Sequence, residues 1–300
     1  AVMRLTSVNY NGAVGTLTAP QNYTNGSIIT ESLMNPTNNP IIVTYNFDVS
    51  ANGCSNAGPF TTTVTVKPSP VFTITNAASQ VCEGTQTNIT LNTPTFGGQV
   101  RLDAVNYNGA TGTLTAGQLF TDGQKITEVL VNPTNLPITA TYTFSVSANS
   151  CSNPVQQQTT VTITRSPTVS VPADYTICEP ISIPLTGTIG ASAVSGLWSI
   201  ISGTGTLSAT NVSGTTVTAN YTVGATDIGN TITLRLTTND PDGPGPCSPV
   251  FDDINIKINR AARITAGIDL AQCRDQASIT LQGAITYAPN GVSWSGGTGS

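Results

Sequence analysis

Tyr142, Phe144, Val146 and Ala148 alternate with Thr141, Thr143, Ser145 and Ser147, so one side of this segment is apolar and the other is lined by hydroxyls. Side chains two apart share a face only in an extended chain, and this period predicts a half-buried β-strand. The same alternation sets Ile232, Leu234 and Leu236 against Thr233, Arg235 and Thr237. It returns at Ile254, Ile256 and Ile258, and at Ile181, Ile183 and Leu185. Turn residues interrupt these runs about every ten positions, and no stretch sustains a 3.6-residue period. The pattern predicts an all-β chain. Short strands of even spacing predict immunoglobulin-like sandwiches, seven-stranded and with Greek-key connections.

The pattern also repeats. Residues 4–67 align with 101–164 without a gap at an offset of 97, and about 40 of those 64 positions are identical. Val8-Asn9-Tyr10-Asn11-Gly12 returns as Val105-Asn106-Tyr107-Asn108-Gly109, and Asn35-Pro36-Thr37-Asn38 returns as Asn132-Pro133-Thr134-Asn135. A second, divergent type follows. Val81-Cys82-Glu83 is echoed by Ile177-Cys178-Glu179 and by Gln272-Cys273-Arg274, and Trp198-Ser199 by Trp294-Ser295. The offsets, 178 − 82 = 96 and 273 − 178 = 95, set a module of 95–97 residues. Proline- and arginine-marked junctions at Lys67-Pro68, Arg165-Ser166-Pro167 and Asn259-Arg260 divide the units. The expected organisation is the C-terminal part of a module over 1–67, whole modules over 68–164 and 165–259 (the latter of the Trp type), and the N-terminal part of another over 260–300. Such modules in tandem are expected to form a rod, each spanning roughly 35–40 Å.

Composition narrows the function. Charged residues make up 8% of the chain, against roughly 25% in ordinary soluble proteins. The net charge is −5 and no Lys/Arg cluster is present, which argues against nucleic acid as a partner. There is no histidine, no GxSxG elbow, and no carboxylate pair that the repeats preserve, so no catalytic residue is assigned and the chain is read as a non-enzyme. No apolar run approaches the ~18 residues of a membrane span, so no membrane insertion is expected in this segment.

Six cysteines without histidine or a CxxC pair point to disulfides rather than a metal. Cys151 − Cys82 is 69 and Cys247 − Cys178 is also 69, so two modules of different sequence keep one spacing. The pairs Cys82–Cys151 and Cys178–Cys247 are therefore expected, each adding roughly 4 kcal/mol on the chain-entropy model, in an oxidising compartment. Cys54 and Cys273 are left as halves of the same kind of pair, unpaired within this stretch. One reading has residues 260–300 of one copy complete residues 1–67 of the next, locked by Cys273 to Cys54, which would make a filament. A longer chain accounts for the same halves.

Two further features are candidates. The turn Asn239-Asp240-Pro241-Asp242-Gly243 places Asp240 and Asp242 where a hard cation such as calcium would bind, with Asp227 as a third ligand. Proline and glycine explain the same turn on backbone grounds, and no cofactor is assigned. Trp198 and Trp294 belong to a central strand, where an aromatic anchors the core; exposed, they would stack on sugars.

With those residues in view, the Trp-type module resembles repeats of giant cell-surface adhesins of Bacteroidota, the gliding-motility adhesins among them. The resemblance rests on Trp198-Ser199 with Gly203-Thr204-Gly205, on Tyr221-Thr222, on Ile232-Thr233-Leu234 running into Thr237-Thr238-Asn239-Asp240-Pro241, and on Gly245-Pro246-Cys247. The other type resembles the PKD-like repeats of the same proteins through Thr141-Tyr142 and Ala148-Asn149-Ser150-Cys151. The resemblance implies export by a type IX system, display at the outer-membrane exterior, and no binding residues to carry over. Three readings follow: a stalk or adhesive segment of a large surface protein contacting glycans or other surface polymers, a filament subunit joined to identical chains, and an accessory array of a secreted polysaccharide hydrolase.

Overall fold

The computed structural model describes residues 1–273, 279–288 and 291. The chain is all-β, and among the described residues the one helical turn is the 3-10 segment Ala225–Asp227. Contacts divide it into two compact units that meet in sequence at Arg165 and Ser166, with Pro244–Pro246 grouped in the first.

In the first unit, residues 73–164 make a complete immunoglobulin-like sandwich. Its back sheet runs in the order Gln80–Cys82, Cys151–Thr164, Ile138–Ala148, Gly98–Asn106, Leu119–Phe120; its front sheet runs Gln124–Ile126, Ile89–Asn92, Thr73–Asn76. The expected seven strands are thus eight, because two loop segments are captured as short edge strands. The alternation of Ile138–Ala148 puts Tyr142 and Phe144 at 0% exposure, against Ile89 and Leu91 of the facing sheet. All but one of the neighbouring pairs are antiparallel. The exception is Gln80–Cys82, which runs parallel to the end of the last strand and sets Cys82 beside Thr164.

Residues 2–66 repeat the back sheet alone. The order is Gln21–Tyr23, Val2–Asn9, Ile41–Ala51, Cys54–Val66, which matches four of the later sheet's five strands at the offset of 97, all but Gln80–Cys82. Among the described residues of this segment no second sheet faces it. A small core of Leu5, Ala13, Ile41, Val43 and Tyr45 is roofed by loop residues such as Leu17 and Leu33.

In the second unit, Ser182–Gly190 and Thr216–Thr222 lead one sheet, and Thr231–Thr238 with Phe251–Asn259 lead the other. Ile183, Leu185, Ile232, Leu234, Ile254 and Ile256 are buried between them. Ile181, expected to share this face, is 87% exposed because it precedes the strand. Farther on, Arg263–Thr265 pairs with Ala284–Thr286. Trp294, Ser295 and Gly297–Gly299 lie outside the described residues.

Candidate functional site

The cysteines do not pair as their spacing suggests. Cys54, Cys151, Cys178 and Cys273 are free thiols, and the disulfide-bonded cysteines are Cys82 and Cys247. The expected pairs Cys82–Cys151 and Cys178–Cys247 are corrected by strand direction. Cys82 ends a strand that lies parallel to the end of Cys151–Thr164, whereas Cys151 begins that strand, roughly 40 Å away along it. Cys178 likewise sits beside Asn259, the last residue of Phe251–Asn259, while Cys247 precedes its first. A disulfide needs Cα atoms within about 7 Å, so neither pair closes. By the same register Cys54 and Cys273 would fall at opposite ends of a completed sandwich, which removes the expected Cys273–Cys54 lock.

Denatured, unreduced protein should expose four thiols and reduced protein six. A different count in the denatured, unreduced protein would refute this assignment of the cysteines.

Asp227 is not available to a cation. Its carboxylate accepts from Tyr221 Oη at 2.6 Å, the Thr204 and Gly224 amides at 2.8 Å and Thr204 Oγ1 at 2.9 Å. Burial pushes its pKa up, but these hydrogen bonds outweigh burial and hold it below the usual aspartate value. Asp240 accepts from the Asp242 amide, and Asp242 Oδ2 from the Cys247 amide, which leaves Asp242 Oδ1 buried and unpaired. No third acidic or cysteine ligand joins them, since no such cluster of three occurs among the described residues. Trp198 is a core residue, 4% exposed, with Nε1 donating to the Val217 carbonyl at 3.3 Å.

Sequence reasoning missed a polar device that recurs in each segment. Glu128, 4% exposed, accepts from Tyr142 Oη at 2.5 Å, Tyr107 Oη at 2.7 Å and the Thr113 amide at 2.8 Å. Glu31 is held in the same way by Tyr45, Tyr10 and the Thr16 amide. Each carboxylate ties a long loop to the central strand, and Gly112 permits it: a Cβ there would lie 2.2 Å from the Tyr107 ring. The signal was present in the repeat, because Tyr10, Glu31 and Tyr45 each recur 97 residues later. The Asn-Pro-Thr motif has a similar role. Asn132, fully buried, donates to the Leu136 and Ile163 carbonyls and accepts from Thr134.

Tyr221 and Asp227 form the counterpart in the second unit. Burial first, and the Asp227 carboxylate second, push Tyr221 up to about 12 from an ordinary value near 10. The folded state thus favours the neutral phenol. That contribution is fully present below pH about 10 and is lost as pH rises toward 12. Urea midpoints for this unit should fall across that window, and Tyr221→Phe should flatten the fall without abolishing it, because burial also raises Tyr175. An unchanged slope in the variant would contradict the assignment.

Two concavities lie on the inner face of residues 2–66. One, of about 600 Å³, is lined by Met3, Phe47, Val49 and Phe60; the other, of about 450 Å³, by Leu17, Ile29, Leu33, Tyr45 and Val64. In the later repeat the equivalent face is closed. Val64 is 43% exposed, whereas its counterpart Val161 is at 0%.

These features define a tandem immunoglobulin-like β-sandwich protein. No family model matches the sequence, and no curated protein matches it. Among solved structures, the chain is similar to the titin I-band fragment I67–I69, at 10% identity and a TM-score of 0.35, over 66% of this chain and 68% of that one. It is also similar to invasin, described as a bacterial integrin-binding protein, at 16% identity and a TM-score of 0.33, over 88% of this chain and 54% of that one. A third is the human desmocollin-1 ectodomain, at 10% identity and a TM-score of 0.27, over 73% and 48%.

Proposed function

We propose that this chain is a structural and adhesive repeat segment of a large secreted surface protein, of the kind its motifs resemble in Bacteroidota adhesins. The observation that carries the reading is the succession of all-β immunoglobulin-like repeats, in which Cys82 and Cys247 are disulfide-bonded. Disulfides form and persist in an oxidising compartment. Among the described residues no helix is long and apolar enough to cross a membrane. The modules are taken as 1–67, 68–164, 165–259 and 260–300, the first and last being halves. Their sparsely charged, hydroxyl- and amide-rich outer faces suit contact with glycans or other surface polymers. Export by a type IX system and a role in gliding belong to the same reading.

The test is surface exposure. Antibody raised against residues 68–259 should label intact cells of the source organism, and added protease should remove the label. Labelling that requires cell lysis would sink the proposal. A glycan array probed with the whole chain separates an adhesive segment, which gives saturable hits, from a passive stalk.

A further inference from the structure

In the second unit, the outward side of one sheet gathers charge and aromatic surface that the rest of this sparsely charged chain lacks. Along Gly196–Ser202, Thr231–Thr238 and Phe251–Asn259, the buried Trp198, Leu234, Leu236 and Ile254 alternate with side chains that face solvent. Register sets Leu197 beside Thr237 and Phe251 in one outward row, and Ser199 beside Arg235 and Asp253 in the next. Arg235 donates from Nε and Nη2 to the two carboxylate oxygens of Asp253, at 2.7 and 2.8 Å. Its guanidinium also lies 3.5 Å from the centre of the Phe251 ring. Phe251 is still 54% exposed, and Leu197 63%.

Stability does not account for this arrangement. An ion pair in reach of solvent contributes little, and apolar side chains left in water contribute nothing by burial. The sandwich of 73–164 manages without such a pair: counted from the parallel terminal strands, its residues at the places of Arg235 and Asp253 are Thr143 and Gln158. What the arrangement offers is recognition. A guanidinium carries five N–H donors, and Asp253 takes two of them, which leaves three held in a fixed plane against the Phe251 ring. Each Asp253 oxygen keeps a further lone pair. Because these groups fix one another, little side-chain freedom remains to be lost on binding. Their opposite charges cancel, so the face does not favour an anion. It suits a partner whose groups donate and accept side by side.

We propose that this face, centred on Arg235, Asp253 and Phe251, binds a neutral glycan. A sugar ring presents apolar C–H bonds on its faces and hydroxyls around its rim. The C–H face lies on Phe251 and Leu197, where the negative face of the aromatic ring attracts it. Neighbouring hydroxyls accept from the guanidinium and donate to Asp253. Asn255 extends the polar strip by one more row, held by Thr233 Oγ1 at 2.8 Å and by Asp174 Oδ2 at 3.0 Å. Three such rows span about 13 Å, room for a short run of sugar units. This site rests on the adhesive-repeat reading and deepens it, by giving the face that binds and the class of ligand. Surface labelling and glycan titration are separate measurements, so either can fail while the other succeeds.

The experiment is isothermal titration of the whole chain with cellohexaose, laminarihexaose, mannohexaose and chitohexaose as neutral probes, and with a heparin hexasaccharide as the anionic one. Expected is saturable binding of at least one neutral probe, with a Kd of about 0.1–1 mM. That affinity should hold between roughly 50 and 500 mM salt, because no net charge is being paired. Phe251→Ala, which removes the stacking ring, should weaken binding by about tenfold. The double variant Arg235→Thr with Asp253→Gln copies the pair that the other sandwich carries, so it should keep its fold and lose binding altogether. Unchanged circular dichroism of both variants shows that lost binding is not lost folding. No heat from any neutral probe up to about 10 mM, tighter binding of the heparin fragment, or binding that either variant leaves intact overturns the proposal.

Discussion

Glu128→Ala should unfold or nearly unfold the sandwich of residues 73–164, lowering its stability by about 3–5 kcal/mol. The carboxylate accepts from two tyrosine hydroxyls and from backbone amides of the loop that crosses the sandwich. Tyr142 is fully buried. Without Glu128 its hydroxyl and the Thr113 amide have no other acceptor in that pocket, and each orphaned donor costs about 1–3 kcal/mol. A small domain holds only about 5–15 kcal/mol in total, so the loss is a large share of it. In calorimetry the transition of this sandwich should fall by roughly 20 °C, while that of residues 166–259 should not move. Tyr142→Phe is the gentler control. It removes one donor and leaves Glu128 its remaining partners, so a loss of about 1 kcal/mol is expected. If Glu128→Ala costs no more than Tyr142→Phe, the carboxylate is not what holds the loop.

This device also marks how far the sequence could be read. Alternation placed Tyr142, Phe144, Val146 and Ala148 on one face because strand period and burial share a single cause, and the structure buries all four. Trp198 was legible for the same reason. The pairing of the cysteines was not. A spacing of 69 residues counts chain length, and it cannot tell whether the early strand runs parallel or antiparallel to the last one. The parallel pairing of Gln80–Cys82 with Thr162–Thr164 moves Cys82 to the opposite end from Cys151. Polar groups were harder still. Glu31 and Glu128 read as ordinary loop acids until the tyrosines are seen to converge on them, although their shared offset of 97 with those tyrosines was visible in the repeat. Asp227 looked like a cation ligand because acidity is all that a sequence displays of it. Its hydrogen bonds to Tyr221, Thr204 and Gly224 are set by how the 3-10 turn meets the neighbouring strand.

The same substitution at two repeat-equivalent positions should give opposite results. Val161→Asp puts a carboxylate at 0% exposure between two sheets, where no cation is placed to pair with it. A charge buried that way costs several kcal/mol even after it takes up a proton, and a loss above about 4 kcal/mol is expected, enough to leave the sandwich unfolded at 37 °C. Val64→Asp, 97 residues earlier on the same strand of the same sheet, meets water instead, because its face has no roof and the side chain is 43% exposed. Its cost should stay within about 0.5 kcal/mol, as for other surface changes. Urea denaturation followed by tyrosine fluorescence measures both. Sequence similarity alone predicts equal effects, since these strands share an identical Thr-Thr-Val-Thr run at 62–65 and 159–162. A large loss at Val64 in the isolated chain would mean that the face is already covered.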